Sequence, residues 1–145
     1  MQALIIENPA VPIVVPVSLV AQIVSRDQFM ETRRSINFIM SEIPWREFQV
    51  PLISSCQMVG AERSLDDDFQ RAVIIWPMKG GKNVDFFAFS AHGAPRVVEV
   101  ENQLNATELD SGPVAQYALG ACKLDDQTAI IPDLSKISSV IFNRN

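Results

Sequence analysis

The sequence has few of the residues from which catalytic and metal-binding sites are usually built. Its 145 residues include one histidine, His92, and two cysteines, Cys56 and Cys122. The cysteines lie far apart and have neither a CxxC nor a histidine-pair spacing, so a structural zinc site is excluded. A free cysteine usually behaves as a small hydrophobic residue, and we therefore expect both thiols to be buried.

Motifs for phosphate, dinucleotide and acyl chemistry are also missing. The sequence has no GxxxxGK[ST] loop, no GxGxxG after a strand-like segment and no nucleophile elbow. Gly80-Gly81 lies in MKGGKN, which lacks the spacing that lets backbone amides enclose a phosphate. His92 precedes a glycine and is expected in a turn. We therefore expect no cofactor and no catalytic centre.

Positive charge is scarce and scattered. The chain has 12 Lys and Arg against 17 Asp and Glu, a formal net charge of −5 and a sequence pI near 4.8. Nucleic-acid binding depends on clustered cations that neutralise phosphates, and the sequence has no such cluster. We expect no nucleic-acid partner.

Long apolar runs are missing as well. The longest, Val11 to Val24, is interrupted by Pro12 and Pro16 and is shorter than the roughly 20 apolar residues that a membrane-spanning helix needs. The first ten residues contain no Lys or Arg, so they lack the positively charged start of a secretory signal. These features predict a cytoplasmic protein without direct membrane insertion.

The sequence does contain a series of short apolar, β-branched runs that end at Pro, Gly, Asn or Asp. Examples are ALIIEN, VPIVVPVSLVAQIVS, EFQVPLISSCQMVG, RAVIIWPMKGGKN and VDFFAFSAHG. Their length and spacing predict an all-β sandwich or barrel, and the chain length fits one domain. In PRVVEVEN, Val98 and Val100 share one strand face while Val97 and Glu99 share the other. Gly80-Gly81 predicts a hairpin between VIIWPM and VDFFAF.

Helical signals are few. The segment SLVAQI fits one or two turns, and Asp27 to Ile39 is interpreted as a loop with one helical turn. DLSKISSVIF begins at Asp133, a suitable N-cap, and predicts a short C-terminal helix. The apolar residues that follow the cap at helical spacing are Leu134, Ile137 and Ile141.

Three blocks of the chain carry a resemblance to one known family. The first, SLVAQIVS, places Val20, Gln22 and Ile23 in a V-x-E-I pattern in which Gln replaces the usual Glu. The second, WREFQVPLIS, places Arg46 and Pro51 at the same separation as the Arg and Pro of the motif N-L-R-G-x-x-x-P-x-x-D-L.

The third block is YALGACKLDDQTAIIPDL. It matches a closing pattern in which a Gly precedes a strand, a polar turn and a second strand, with Gly120, the turn at 125–127 and Asp133 at the corresponding positions. With these blocks in order along nearly the whole chain, the sequence resembles the CheW-like family, the adaptor domains of bacterial chemosensory arrays.

The resemblance implies a fold, a function and partners. The fold is two five-stranded SH3-like β-barrels packed across a hydrophobic core, with short helical segments, in one domain over residues 1–145. The family's adaptors have no catalytic step and no cofactor, and they link the regulatory domain of a CheA-type histidine kinase to the cytoplasmic tip of a methyl-accepting chemoreceptor. The implied partner-binding residues are Val20, Gln22, Ile23 and Arg46, and the implied structural residues are Pro51, Gly120 and Asp133.

The departures from the family pattern favour a subtype. Glu47 replaces the Gly after the motif Arg, Ser54 replaces the usual Asp, and Trp45 precedes the Arg where Leu is common. This form, with Pro16 to Val24, resembles the ChpC-like adaptors of chemosensory pili systems, which govern type IV pili and twitching motility. The substitutions, together with Gln22, also leave open an adaptor that has lost one of its two docking surfaces.

The sequence leaves two possible roles open for several of these residues. The Arg46 guanidinium either braces the junction between the barrels or contacts a partner. Val20 and Ile23 either pack in the core, which we favour, or belong to an interface, and Gln22 between them is expected to point outward. Pro51 lacks a backbone donor and is expected at a sheet edge or bulge.

A second class of protein is a small-molecule-binding β-barrel or a minor enzyme. Its pocket would use His92, Asp85 or the acidic run at 66–68. Three adjacent carboxylates lack the alternating spacing and the Gly of a calcium loop, so we expect that run to be a solvated loop. A catalytic pair of Cys56 and His92 would need an orienting acid close in space.

Overall fold

The computed structural model describes residues 2–100, 103–105, 116–124 and 127–142, and within them the chain forms two β-sheets of six strands each. We call them the terminal sheet, built from strands near both ends of the chain, and the middle sheet, built from the strands between. The terminal sheet contains β1 (Gln2–Ile6), β2 (Ile13–Pro16), β9 (Arg96–Glu99), β10 (Gln103–Asn105), β11 (Ala118–Leu124) and β12 (Gln127–Pro132). The middle sheet contains β3 (Val20–Ser25), β4 (Thr32–Ile36), β5 (Ile39–Trp45), β6 (Phe48–Ile53), β7 (Arg71–Ile75) and β8 (Phe87–Ala91).

Both sheets are mainly antiparallel. The strand order is β10-β11-β12-β2-β1-β9 in the terminal sheet and β3-β7-β8-β6-β5-β4 in the middle sheet. Two neighbouring pairs are parallel, β12 with β2 and β6 with β8. The described helical segments are α1 (Ser55–Met58), α2 (Leu134–Ile141) and 3-10 turns at 17–19, 26–28 and 63–66.

Central strands of both sheets are buried on both faces. In β1, Leu4 and Ile6 join an apolar cluster that the two sheets share, whereas Ala3 and Ile5 join a cluster within the terminal sheet. Strands β7 and β8 divide their side chains in the same way between the shared cluster and one within the middle sheet. Burial on both faces explains why these strands are nearly continuous apolar runs in the sequence.

The shared cluster also contains Leu134 and Ile137 of α2. Full burial of one such side chain contributes roughly 1.5–3 kcal/mol to the free energy of unfolding. This arrangement confirms the predicted all-β fold of two packed subdomains with a hydrophobic core between them. Among the described residues each sheet has six strands, one more than the predicted five.

The prediction of a loop with one helical turn from Asp27 to Ile39 is correct for the turn and wrong for the loop. After the 3-10 turn at 26–28 the chain forms β4, which pairs with β5 as a hairpin. All five side chains of β4 are exposed, so the strand has no apolar alternation that the sequence could reveal. The segment SLVAQI is not a helix either. Its first two residues belong to the 3-10 turn at 17–19, and the rest belong to β3.

Pro51 lies in an interior strand, which corrects the expected sheet edge or bulge. It belongs to β6, between β8 and β5, and pairs with Glu42 of β5. The described pairing of β6 with β8 begins one residue later, where Leu52 is opposite Ala88. Proline has no backbone N–H, and it is tolerated here because it comes before the residues of β6 that pair with β8.

Two further predictions are confirmed by a hairpin and a helix. Strands β7 and β8 pair antiparallel with Ile75 opposite Phe87, although the loop that contains Gly80-Gly81 spans residues 76–86. Asp133 caps α2 by accepting a 3.1 Å hydrogen bond from the backbone N–H of Lys136.

Candidate functional site

Four aromatic side chains form a cluster at one end of the middle sheet, which we call the aromatic end. Phe86 is central, with its ring centroid 4.9 Å from that of Trp45, 4.9 Å from that of Phe48 and 5.6 Å from that of Trp76. Trp45 and Phe48 face each other where β5 turns into β6, and Trp76 and Phe86 begin and end the loop at 76–86. The cluster therefore joins two hairpins that are separate in sequence.

Arg46 occupies the tip of the β5–β6 hairpin. Its φ of +55° lies in the left-handed region that two-residue hairpin loops use and that non-glycine residues rarely adopt. The guanidinium carbon lies 4.3 Å from the centre of the Trp45 ring, within the range of a cation–π contact. The side chain is exposed, and this contact lies within its own hairpin and does not bridge the two sheets.

Gln22 contacts the same indole. Trp45 Nε1 donates a hydrogen bond of 2.9 Å to Gln22 Oε1. Strand β3 is one edge of the middle sheet and β5 is next to the opposite edge, so this bond shows that the sheet curls until its two sides approach. Gln22 and Arg46, which the family resemblance implies as partner-binding residues, thereby meet at Trp45.

Val20 and Ile23 have different environments. Val20 is partly buried and packs against the cluster between the sheets, as predicted. Ile23 is 38% exposed, so the favoured expectation of core packing is wrong for it. The pairing of β3 with β7 shifts register between Val20 and Gln22, and beyond the shift Gln22 and Ile23 are both exposed. Ile23 is thus an exposed aliphatic side chain beside Gln22.

A groove of about 540 Å³ lies between the β4–β5–β6 part of the middle sheet and the end of α2. Its apolar lining includes Ile36, Pro51 and Ile141. Arg34 and Glu42 also line it and form an ion pair with each other. Ile36 is 48% exposed in this groove, whereas Pro51, which the sequence singles out, is buried at its base.

Gly120 and Asp133 shape the terminal sheet. Gly120 is buried in β11 opposite Ile131, next to a register shift in the pairing with β12. The backbone N–H of Asp133 donates a 2.7 Å hydrogen bond to the Tyr117 carbonyl, while its carboxylate caps α2. The first two residues of the predicted turn at 125–127 lie outside the described residues.

Asp66 corrects the expectation that the acidic run at 66–68 is a solvated loop. Asp67 and Asp68 are exposed, but Asp66 is completely buried. Its carboxylate accepts hydrogen bonds from Ser54 Oγ at 2.6 Å and from the backbone N–H of Cys56 at 2.9 Å. These bonds satisfy a buried charge and fix the turn that carries it.

His92 connects the Asp66 carboxylate to the terminal sheet. Its Nε2 lies 2.9 Å from Asp66 Oδ1, and its backbone N–H donates a 2.8 Å hydrogen bond to the carbonyl of Glu7, which follows β1. Because His92 follows β8 of the middle sheet, the two bonds tie the sheets together. The histidine is therefore a structural link as well as a turn residue.

The grouping of Cys56, Asp66 and His92 does not support nucleophilic catalysis. Cys56 is fully buried, with Sγ 3.4 Å from Asp66 Oδ1. Burial, followed by the neighbouring carboxylate, raises the pKa of the Cys56 thiol to about 12, so the thiol is protonated at neutral pH and is a poor nucleophile. Asp85 precedes β8 whereas His92 follows it, so these two residues lie at opposite ends of one strand.

The second cysteine has a similar environment. Cys122 is buried in the cluster within the terminal sheet, and burial raises its pKa. The prediction that both thiols are buried is confirmed. Across the described ranges, no three His, Cys, Asp or Glu side chains are placed to hold a metal ion. None of the described helices has the length and apolarity to cross a membrane.

No family motif covers Trp76 or Phe86, although both belong to the aromatic end. Trp76 is 42% exposed. The available signal is the pair Trp76-Pro77 directly after an apolar strand, because a proline ends the ladder and leaves the large aromatic side chain at the sheet's end. Tryptophan is also among the residues enriched at protein interfaces.

Over the described residues, the fold and these surfaces define a small β protein of two subdomains whose candidate sites are the aromatic end and the groove beside α2. The family model described as "CheW-like domain" matches residues 3–141, and the chain therefore belongs to the CheW-like family. The crystal structure of scaffolding protein TtCheW from Thermoanaerobacter tengcongensis is similar in fold, with a TM-score of 0.69 and 15% sequence identity over 90% of this chain and 87% of that chain. No curated protein sequence gives a significant match.

Proposed function

We propose that this CheW-like protein is a non-enzymatic adaptor of a bacterial chemosensory pathway, located in the cytoplasm, that links a CheA-type histidine kinase to chemoreceptors. The observation that carries the proposal is the meeting of Gln22 and Arg46 at Trp45. Two positions that match partner-binding positions of the family are separate in sequence, yet they contact one side chain at one exposed end of the middle sheet.

The aromatic end has the composition of a binding hot spot. Tryptophan and arginine dominate such sites because they bury a large area and donate several hydrogen bonds. Arg46 is held over the Trp45 ring, so it loses less side-chain freedom when it binds than a freely moving arginine would. Ile23 adds an exposed apolar side chain on the neighbouring strand. We assign the regulatory domain of the kinase to this end.

We assign the cytoplasmic tip of the chemoreceptor to the groove beside α2. A helical segment can insert side chains spaced by three or four residues into an apolar groove. Ile36, Pro51 and Ile141 supply the apolar contacts, and the Arg34–Glu42 pair supplies polar groups that fix the register. An adaptor needs two separate surfaces, and the groove provides the second one.

We further propose a ChpC-like role in a pathway that controls type IV pili and twitching motility. The motif form W-R-x-x-x-P-L-I-S supports this, since its distinctive Trp45 is the platform on which Arg46 lies. Deletion of the gene is expected to abolish twitching, with rescue by the wild type and not by Arg46→Ala. Loss of flagellar swimming with intact twitching would contradict the pili assignment.

Separate binding assays with a kinase regulatory domain and a receptor-tip fragment test the adaptor function. We expect micromolar association with each fragment. Ile23→Asp should weaken kinase binding only, and Ile36→Asp should weaken receptor binding only, because the two exposed side chains lie on different surfaces. Binding to one fragment alone would show an adaptor that has lost a docking surface, and binding to neither would reject the proposal.

A further inference from the structure

The groove beside α2 has two walls that come from different parts of the chain. One wall is the β4–β5–β6 part of the middle sheet, and its rim is the β4–β5 turn at 36–39, which we call the groove lip. The other wall is the end of α2, where Val140, Ile141 and Phe142 line the groove. Because the walls belong to different elements, the width of the groove depends on what holds the lip and α2 together.

Hydrogen bonds fix the conformation of the groove lip. Asn37 has a φ of +53°, and its carbonyl accepts a hydrogen bond from the guanidinium of Arg63, which also donates to Ser35 Oγ. A guanidinium carries several donors in one plane, so a single arginine can hold both groups at once. The backbone N–H of Ser54 donates a 2.8 Å hydrogen bond to the Phe38 carbonyl. These bonds hold the backbone that carries the Phe38 ring.

Tyr117 is tied to the opposite wall. Its carbonyl accepts a 2.7 Å hydrogen bond from the backbone N–H of Asp133, the residue that caps α2. Lys136, in the first turn of α2, donates through Nζ to the Gln116 carbonyl at 2.8 Å. The same ammonium lies 5.5 Å from the centre of the Tyr117 ring, within the range of a cation–π contact. Tyr117 is therefore held against the start of the helix whose end lines the groove.

Phe38 and Tyr117 connect the two walls. Their ring centroids are 4.8 Å apart and the ring planes meet at 82°, which is the edge-to-face arrangement that aromatic pairs favour. Both rings are half-buried and pack against the apolar cluster that the two sheets share. The described lining of the groove includes neither ring. A chain of contacts thus runs behind the groove, from the lip through the two rings to α2.

We propose that Phe38 and Tyr117 are positioning residues, whose contact sets the width of the groove and thereby the affinity for the receptor tip. This inference rests on the proposed function, in which a receptor helix occupies the groove. A gap of about 0.5–1 Å between two packed surfaces already removes a quarter to a half of their dispersion attraction. A groove held at one width also avoids the cost of ordering its walls when the helix binds.

Calorimetric titrations with a receptor-tip fragment and with a kinase regulatory domain test the role of the two rings. Phe38→Leu and Tyr117→Leu keep an apolar side chain but remove the edge-to-face contact, and each should weaken receptor binding about fivefold. Tyr117→Phe keeps the ring and should bind the receptor fragment like the wild type. The double leucine variant should bind no more weakly than either single variant, because one contact is lost in all three.

Kinase binding separates positioning from a general loss of structure. All these variants should bind the kinase domain like the wild type, because the aromatic end lies on a different surface. Equal losses of affinity for both fragments would overturn the proposal, since they would show a merely structural role. Wild-type receptor affinity in the two leucine variants would also overturn it.

The width of the groove can be measured in the free protein by double electron–electron resonance. Nitroxide labels on R33C/S135C report it, because Arg33 of β4 and Ser135 of α2 are exposed, whereas the native thiols Cys56 and Cys122 are buried. We expect one narrow distance distribution, kept by Tyr117→Phe and broadened by Tyr117→Leu. An unchanged distribution in Tyr117→Leu would overturn the proposal. If the wild type binds no receptor-tip fragment, the proposed receptor site fails, while the distance distributions still decide whether the two rings set the width.

Discussion

The side chain of Trp45 is held by Gln22, whose Oε1 accepts the indole N–H at 2.9 Å. On the face of the same ring, Trp45 in turn supports Arg46, whose guanidinium lies over the indole. One indole therefore positions an arginine at the tip of a hairpin while it joins the two sides of a curled sheet. This arrangement makes Trp45 the residue through which the family's motif positions act together.

Trp45→Phe separates these two functions of the indole. The phenyl ring still packs against Phe86 and under Arg46, but it has no N–H to donate to Gln22. The lost hydrogen bond should lower the free energy of unfolding by about 0.5–1.5 kcal/mol, and the smaller ring at this buried position should lower it further. Urea denaturation measures this value. If Gln22→Ala in the Trp45→Phe background lowers the free energy as much as Gln22→Ala alone, the two side chains are not coupled as described.

Asp66→Ala should be among the most destabilising single substitutions. It leaves Ser54 Oγ, the Cys56 backbone N–H and His92 Nε2 without their shared acceptor. Removing one partner from a buried, hydrogen-bonded charge typically costs about 3–5 kcal/mol. Asp67→Ala is the matched control, since that side chain is exposed and its loss should change the free energy of unfolding by less than about 0.5 kcal/mol. Similar effects of the two substitutions in urea denaturation would contradict the description of Asp66.

The buried thiol of Cys56 predicts a loss of stability at alkaline pH. Its pKa is about 12 in the folded protein against an ordinary value of 9.0, so the unfolded chain loses this proton first as pH rises. The thiol leaves the free energy of unfolding unchanged below about pH 9. Between pH 9 and 12 the free energy falls, by at most about 1.4 kcal/mol per pH unit.

Cys56→Ala provides the comparison, because other groups also titrate in this range. Urea denaturation between pH 8 and 10.5 should show a steeper decrease for the wild type than for Cys56→Ala, even though the variant begins from a lower stability. Parallel pH profiles would show that the thiol titrates alike in the folded and unfolded states.

Sequence patterns predicted the parts of the fold that depend on neighbours along the chain. Alternation in PRVVEVEN correctly separated the more buried Val98 and Val100 from the exposed Val97 and Glu99. The N-cap at Asp133 also follows from local chemistry, because its carboxylate bonds a backbone N–H three residues later. These features need no knowledge of the other sheet.

The errors concern properties that depend on distant parts of the chain. Pro51 lies in an interior strand because β8 joins β6 from a later part of the sequence. Asp66 is buried because His92 and Ser54 bring it polar partners, whereas its identical neighbours have none of these bonds. Strand β4 was missed because the pairing with β5 that defines it leaves no apolar pattern in its exposed side chains.

The aromatic end was only half predictable from the sequence. The family motif points to Gln22 and Arg46, but their meeting at Trp45 requires the middle sheet to curl. Trp76 joins them only through Phe86, which comes from the other end of its loop. Contacts of this kind are set by the tertiary structure.

The kinase-binding role of the aromatic end is tested most directly by calorimetric titration of a CheA-type kinase regulatory domain into Arg46→Ala, with the melting temperature recorded for the same samples. Arg33→Ala is the control, since it removes an exposed arginine from the outer strand β4. We predict at least a tenfold weaker affinity for Arg46→Ala, with the melting temperature of the wild type and no change in affinity for Arg33→Ala. Wild-type affinity for Arg46→Ala would contradict the assignment of the aromatic end as the kinase-binding surface. So would a loss of affinity accompanied by a lower melting temperature, because the variant would then be destabilised as a whole.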